Sequence, residues 1–277
     1  MNYTVVDELI KRAFDEDFPS GDITTEALIG PDLQSRAVLL AKEDGVVAGL
    51  EVFQRVFTML GGVECRLFRE DGESVHSGEK IAELTGNTRN LLTGERTALN
   101  FVQRMSGVAT LTSRCVQALS GSRTKLLDTR KTTPGFRYLE KYAVAVGGGV
   151  NHRFGLSDGI LIKDNHIKAA GGVARAVEKA KERHGFARKI EVETESLDMV
   201  REALDAGADI IMLDNMDIET MKRAVSMIGG RALTECSGNV TPERLRELGD
   251  IGVDYISSGA LTHSYSSLDL SLRFIDE

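Results

Sequence analysis

Four of the cationic side chains between residues 130 and 163 follow apolar or glycine runs. Arg130 and Lys131 follow the apolar run Lys125–Leu127, Arg153 follows the glycines 147–149, and Lys163 follows Ile160–Ile162. His152 adjoins Arg153. The next two apolar runs, 190–192 and 210–213, end at carboxylates, Glu193 and Asp214. The last two, 232–234 and 255–256, lead into small residues: Ser237-Gly238-Asn239 and Ser257-Ser258-Gly259. Each group has its own chemistry. Gathered cations repel one another unless an anion offsets them, and an arginine fork matches a carboxylate or phosphate. One or two carboxylates with substrate oxygens suit Mg²⁺; the lesser alternative is that Glu193 and Asp214 are structural hydrogen-bond acceptors or salt-bridge partners for the cations. Glycine permits close approach, and hydroxyls and N–H groups can ring a phosphate. Together they fit a small, multiply anionic substrate and a metal-bound, phosphorylated one.

Such residues need a scaffold that brings strand ends together. The six apolar runs alternate with helical patterns at Val173–His184, 197–206, Ile218–Ile228 and 242–248. Strand and helix in alternation make βαβ units on a parallel sheet. Six strands are too few for a regular eight-fold barrel, so the expectation is an open, incomplete parallel α/β barrel. In such folds the C-terminal strand ends converge on one mouth, the usual active site. Polar residues also simply begin loops, but polarity after all six strands favours a shared site. The glycines 147–149 fit either a phosphate loop or a helix stop, without the spacing of a P-loop or dinucleotide fingerprint. The first half differs. Residues 35–84 read as short alternating strands and hairpin turns. A helix over about 90–119 carries the apolar stripe Leu91, Ala98, Leu99, Val102, Met105 and Ala109, with Glu95 inside it and Arg96 on its margin. Charges there need partners if they are buried.

Bulk properties narrow the classes. The 277 residues suit one large domain or two smaller ones. A 42% hydrophobic, 27% charged composition is that of a globular protein. No apolar run reaches membrane-spanning length, and the N-terminus lacks a signal pattern, so a cytoplasmic protein is expected. The three scattered cysteines suggest neither a disulfide framework nor zinc. A net charge of −8 argues against nucleic-acid binding and makes the basic cluster stand out.

Longer motifs then emerge: Gly21-Asp22-Ile23-Thr24-Thr25, Glu95-Arg96-Thr97-Ala98-Leu99-Asn100, Asp128 through Gly135, Gly147 through Arg153, and Leu161-Ile162-Lys163-Asp164-Asn165-His166. Glu193, Leu213-Asp214-Asn215, Ser237-Gly238-Asn239 and Ser258 through Thr262 follow. Over nearly its whole length the chain resembles the quinolinate phosphoribosyltransferase family. The resemblance implies an N-terminal α/β sandwich domain, 1–108 joined by 267–277, and an open α/β barrel domain, 109–266. It implies a homodimer, with larger assemblies left open, in which Arg96 reaches the partner subunit's pocket. Thr129, Arg130, Lys131, His152, Arg153 and Lys163 would meet the substrates. Lys131, Glu193 and Asp214 would be catalytic, the two carboxylates facing Mg²⁺ or ribose hydroxyls. Ser237, Gly238, Asn239, Ser258, Gly259 and Ala260 would hold a 5′-phosphate. The substrates implied are quinolinate and phosphoribosyl pyrophosphate. A related protein encoded with molybdate-transport genes shares the Arg-Lys-Thr region, and the family pattern leads us to expect no Leu161–His166 run in it. A non-catalytic barrel sensing a phosphorylated ligand would have no use for Glu193 and Asp214.

Overall fold

The chain packs as two units, one formed by residues 1–113, 133–148 and 265–277, the other by 114–132 and 149–264. The structure, a computed structural model, describes residues 1–184, 186–238 and 242–275. Residues 109–113, 133–148 and 265–266 thus group with the first unit, whereas the resemblance placed 109–266 in the barrel.

The first unit begins with α1 (Tyr3–Asp17) and α2 (Ile23–Leu28). Asp22 starts α2 by accepting the Thr25 N–H at 3.0 Å and the Thr25 hydroxyl at 2.6 Å, the usual way an aspartate satisfies a helix's free first-turn donors. Then come β1 (Gln34–Ala41), β2 (Gly45–Val46), α3 (Leu50–Leu60), β3 (Val63–Leu67), β4 (Ser74–Val75), β5 (Lys80–Asn87) and α4 (Thr88–Ala118). The helix α3 departs from the all-strand expectation for residues 35–84. Leu50, Phe53 and Phe57 recur at helical spacing, all fully or almost fully buried. Burying side chains of that size contributes about 1.5–3 kcal/mol each, which outweighs any local strand preference. Asp71 secures the start of α3 from a distance, accepting the Gly49 and Leu50 N–H groups at 2.9 Å each and the Tyr142 hydroxyl at 2.8 Å. The expected stripe of α4 is buried along its whole length. Glu95 is half-buried and Arg96 exposed.

In the second unit β6 (Lys125–Leu127) is followed, after α5 (Arg137–Val146) of the first unit, by β7 (Ile160–Ile162), α6 (Asp164–Ala170), α7 (Val173–His184), β8 (Ile190–Thr194), α8 (Leu197–Asp205), β9 (Ile210–Asp214), α9 (Ile218–Ile228), β10 (Leu233–Ser237), α10 (Pro242–Gly249), β11 (Tyr255–Ser257) and α11 (Ala260–His263). The six strands pair in parallel in the order β6-β11-β10-β9-β8-β7. The edge strands β6 and β7 do not pair with each other, so this is the open α/β barrel expected. Gly147 closes α5 by donating its N–H to Ala143 O at 3.0 Å, which makes the glycine run a helix stop.

The last strand, β12 (Leu270–Ile275), returns to the first unit and pairs antiparallel with β1, completing a four-stranded sheet ordered β12-β1-β5-β3.

Candidate active site

The barrel strands deliver the chemistry at their C-terminal ends. After β6, Asp128 is fully buried and accepts the His152 N–H at 2.8 Å and the Asn151 side-chain amide at 3.2 Å. It thereby fixes the segment carrying His152 and Arg153. The next turn is held from both sides: the Lys131 N–H donates to Thr129 Oγ1 at 3.0 Å, and Lys131 O accepts the buried Thr262 hydroxyl at 2.7 Å. Arg153 donates from Nη1 to Gly159 O at 3.0 Å. Burial and the nearby Arg130 charge lower its pKa, with Glu191 opposing, so the cations on this wall repel.

The acidic wall lies on β8 and β9. Glu193 Oε2 accepts from Lys163 Nζ at 2.5 Å. Burial raises the Asp214 pKa, and repulsion by Glu193 adds to it against the pull of Lys163. A cation shared by these carboxylates would relieve that repulsion, so the donor set fits a hard divalent ion. Asn215 next door has φ +53°, the only positive value for a non-glycine among the described residues, and its side-chain amide donates to Asp214 Oδ2 at 3.1 Å. Gly238 approaches so closely that a Cβ there would lie 2.9 Å from Asn215 Oδ1.

One cavity of about 980 Å³ collects these groups. Of the residues singled out from sequence, Thr129, Arg130, Lys131, His152, Arg153, Lys163, Glu193, Asp214, Ser237, Gly238, Ser258, Gly259 and Ala260 all line it. Arg96, on α4 in the first unit, does not, and Asn239 lies outside the described residues. The Ser258 N–H is spent on Leu127 O at 3.0 Å, so this amide is not one that can meet a phosphate. Glu235, Arg244 and His263 also line the cavity and went unremarked from sequence as site residues. So did Glu191, buried beside His152, whose Nε2 lies 3.1 Å from Glu191 Oε2 and 3.5 Å from Glu235 Oε2.

Such an open barrel, with cations and carboxylates gathered in one cavity, suits an enzyme of phosphorylated, multiply anionic substrates. The family models for the quinolinate phosphoribosyl transferase N-terminal and C-terminal domains match residues 22–106 and 108–273. The chain is 45% identical to a probable nicotinate-nucleotide pyrophosphorylase (carboxylating) of Bacillus subtilis, over 98% of this chain and 94% of that one. It is 44% identical to a mitochondrial quinolinate phosphoribosyltransferase (decarboxylating) of Nicotiana tabacum, over 98% of this chain and 82% of that one. The crystal structure of NadC from Streptococcus pyogenes superposes with a TM-score of 0.96 at 47% identity, over 100% of this chain and 99% of that one. The chain belongs to the quinolinate phosphoribosyltransferase family.

Proposed function

We propose that this chain transfers the phosphoribosyl group of phosphoribosyl pyrophosphate to quinolinate with loss of CO₂, giving nicotinate mononucleotide and pyrophosphate in NAD synthesis. The observation that carries this is the gathering of Arg130, Lys131, Arg153 and Lys163 with Glu193 and Asp214 in one cavity. Two substrate carboxylates can pair with these cations, and that pairing orients the pyridine ring. The ring nitrogen then attacks ribose C1 as the bond to pyrophosphate breaks. Positive charge develops on the ribose, where Glu193 and Asp214 can stabilise it. The same two carboxylates would hold Mg²⁺, which supplies charge neutralisation for the departing pyrophosphate. After transfer the quaternised nitrogen makes the adjacent carboxylate a leaving group. Its C–C bond breaks, CO₂ departs, the electron pair stays on the ring carbon beneath the cationic wall, and a proton takes its place.

Three further elements belong to this proposal. Ser237, Gly238, Gly259 and Ala260 cradle the 5′-phosphate. The enzyme is a homodimer in which the exposed Arg96 completes the partner's pocket. Its location is cytoplasmic; no helix among the described residues is long and apolar enough to cross a membrane.

The test is release of labelled CO₂ from carboxyl-labelled quinolinate in the presence of Mg²⁺ and phosphoribosyl pyrophosphate, with nicotinate as the competing acceptor. Nicotinate, with one carboxylate, makes fewer charge-assisted contacts with these cations and is expected to turn over far more slowly. Comparable turnover of the two acids sinks the dicarboxylate assignment.

A further inference from the structure

Two buried carboxylates remain unexplained by that chemistry. Glu191 on β8 and Glu235 on β10 are 4% and 1% exposed, and each has a second oxygen, Oε1, with no hydrogen-bond partner. Burying two acids side by side is costly, and apolar residues of similar volume would serve a fold as well or better. What the pair shares is His152 Nε2, at 3.1 and 3.5 Å.

The spacing of these three side chains would also suit a metal ion. The ring's other nitrogen decides against it. His152 Nδ1 accepts the backbone N–H of Arg153 at 2.7 Å, so Nδ1 bears no hydrogen. A neutral imidazole carries one N–H, and here it must be on Nε2, where it points at the glutamates and cannot ligate a metal. Burial lowers the His152 pKa and the hydrogen bonds to Glu191 and Glu235 more than reverse this, a pull toward the charged ring. That charged ring would need a hydrogen on Nδ1 facing the Arg153 N–H, and the amide, fixed in the backbone, cannot turn away. The hydrogen bond therefore selects the neutral ring.

We propose that Glu191 and Glu235 are positioning residues of the quinolinate subsite: together they hold His152 as its Nε2–H tautomer, so that Nδ1 is left to fix the backbone at Arg153. The assignment rests on the function proposed above. It changes the part His152 plays. With both nitrogens engaged inside the protein, the ring is a wall of the cavity, and the cations that meet substrate carboxylates are its neighbours. The line of action runs from the two glutamates through the ring to the Arg153 N–H, and so to the guanidinium that Gly159 O also holds.

Two measurements test it on the full-length protein. With ¹⁵N-labelled histidine, the His152 ring signals are identified by their loss in His152→Gln. Nε2 should be protonated and Nδ1 a bare acceptor. A ring protonated on both nitrogens, or on Nδ1 alone, overturns the proposal. Kinetically, Glu191→Gln/Glu235→Gln should raise the KM for quinolinate about 10- to 100-fold, the cost of losing hydrogen bonds to charged acceptors, and leave the KM for phosphoribosyl pyrophosphate unchanged. Equal movement of both constants, or of neither, also overturns it. Should the double variant not fold, the wild-type ring spectrum alone decides. Failure of the function proposed above would appear instead as absence of CO₂ release by the wild type, which leaves the ring spectrum untouched.

Discussion

Asp214 stands where burial and the charge of Glu193 both resist its ionisation. A carboxylate kept in so unfavourable a place is poised for a cation, and Lys163 is one group that supplies positive charge there. Asp214→Asn should therefore cut kcat by roughly 10²- to 10³-fold, the scale of losing one electrostatic partner of the transition state. Quinolinate affinity, measured by calorimetry, should change far less. Full wild-type activity in excess chelator would remove the metal from the mechanism. The thiols make a separate residue-scale case. Burial pushes Cys65 up to about 12 and Cys236, aided by Glu235, up to about 11. Thiolate is the reactive form, so iodoacetamide at pH 8 should leave both unmodified until denaturant is added, as mass spectrometry of the digest will report. Most of the cavity lining was legible because strand-end polarity is conspicuous. Glu191 was not, because it sits within an apolar run. The signal was the two-residue period of a strand: Glu191 and Glu193 share a face, as do Glu235 and Ser237.

At the level of elements, α4 is pinned by a glycine. A Cβ at Gly107 would lie 2.2 Å from Ser266 O and 2.8 Å from Ser267 Cα, both backbone atoms that cannot swing aside. Gly107→Ala, normally a gain of helix propensity, should here lower stability by about 1–3 kcal/mol, seen as a lower urea midpoint at constant m-value. A neutral or stabilising outcome would mean that the 266–267 segment yields freely. The sequence made α4 plain, since its stripe repeats over many turns. It left α3 hidden, because a short amphipathic helix set among glycine-punctuated strands offers only about three turns of periodicity, and the surrounding alternation dominates the pattern. The two-residue strands β2 and β4 are set by tertiary pairing and have no sequence signature long enough to read.

For the whole molecule, the decisive question is which cavity Arg96 serves. Arg96→Ala and Lys131→Ala are each expected to be inactive yet folded. If each pocket draws Arg96 from the partner subunit, mixing the two variants makes hybrid dimers with one pocket carrying both lesions and one carrying neither, and activity should partly return. Mixing that restores nothing, with subunit exchange confirmed by mass, refutes the shared site. Local pattern gives neither an oligomeric state nor a destination for Arg96. A residue at the margin of an apolar stripe announces only that it is near the surface.

The return of β12 to β1 has a consequence for biogenesis. Residues 270–275 leave the ribosome long after β1, at 34–41. All six barrel strands are synthesised in between. During translation β1 can pair with β5 on one side only, and its other edge presents unsatisfied backbone donors and acceptors, the kind of edge that recruits foreign strands. The first unit to be made is thus the second able to finish. A message that terminates before Leu270 would yield a chain with every barrel strand present and an unprotected edge, a substrate for aggregation or degradation rather than a shorter enzyme.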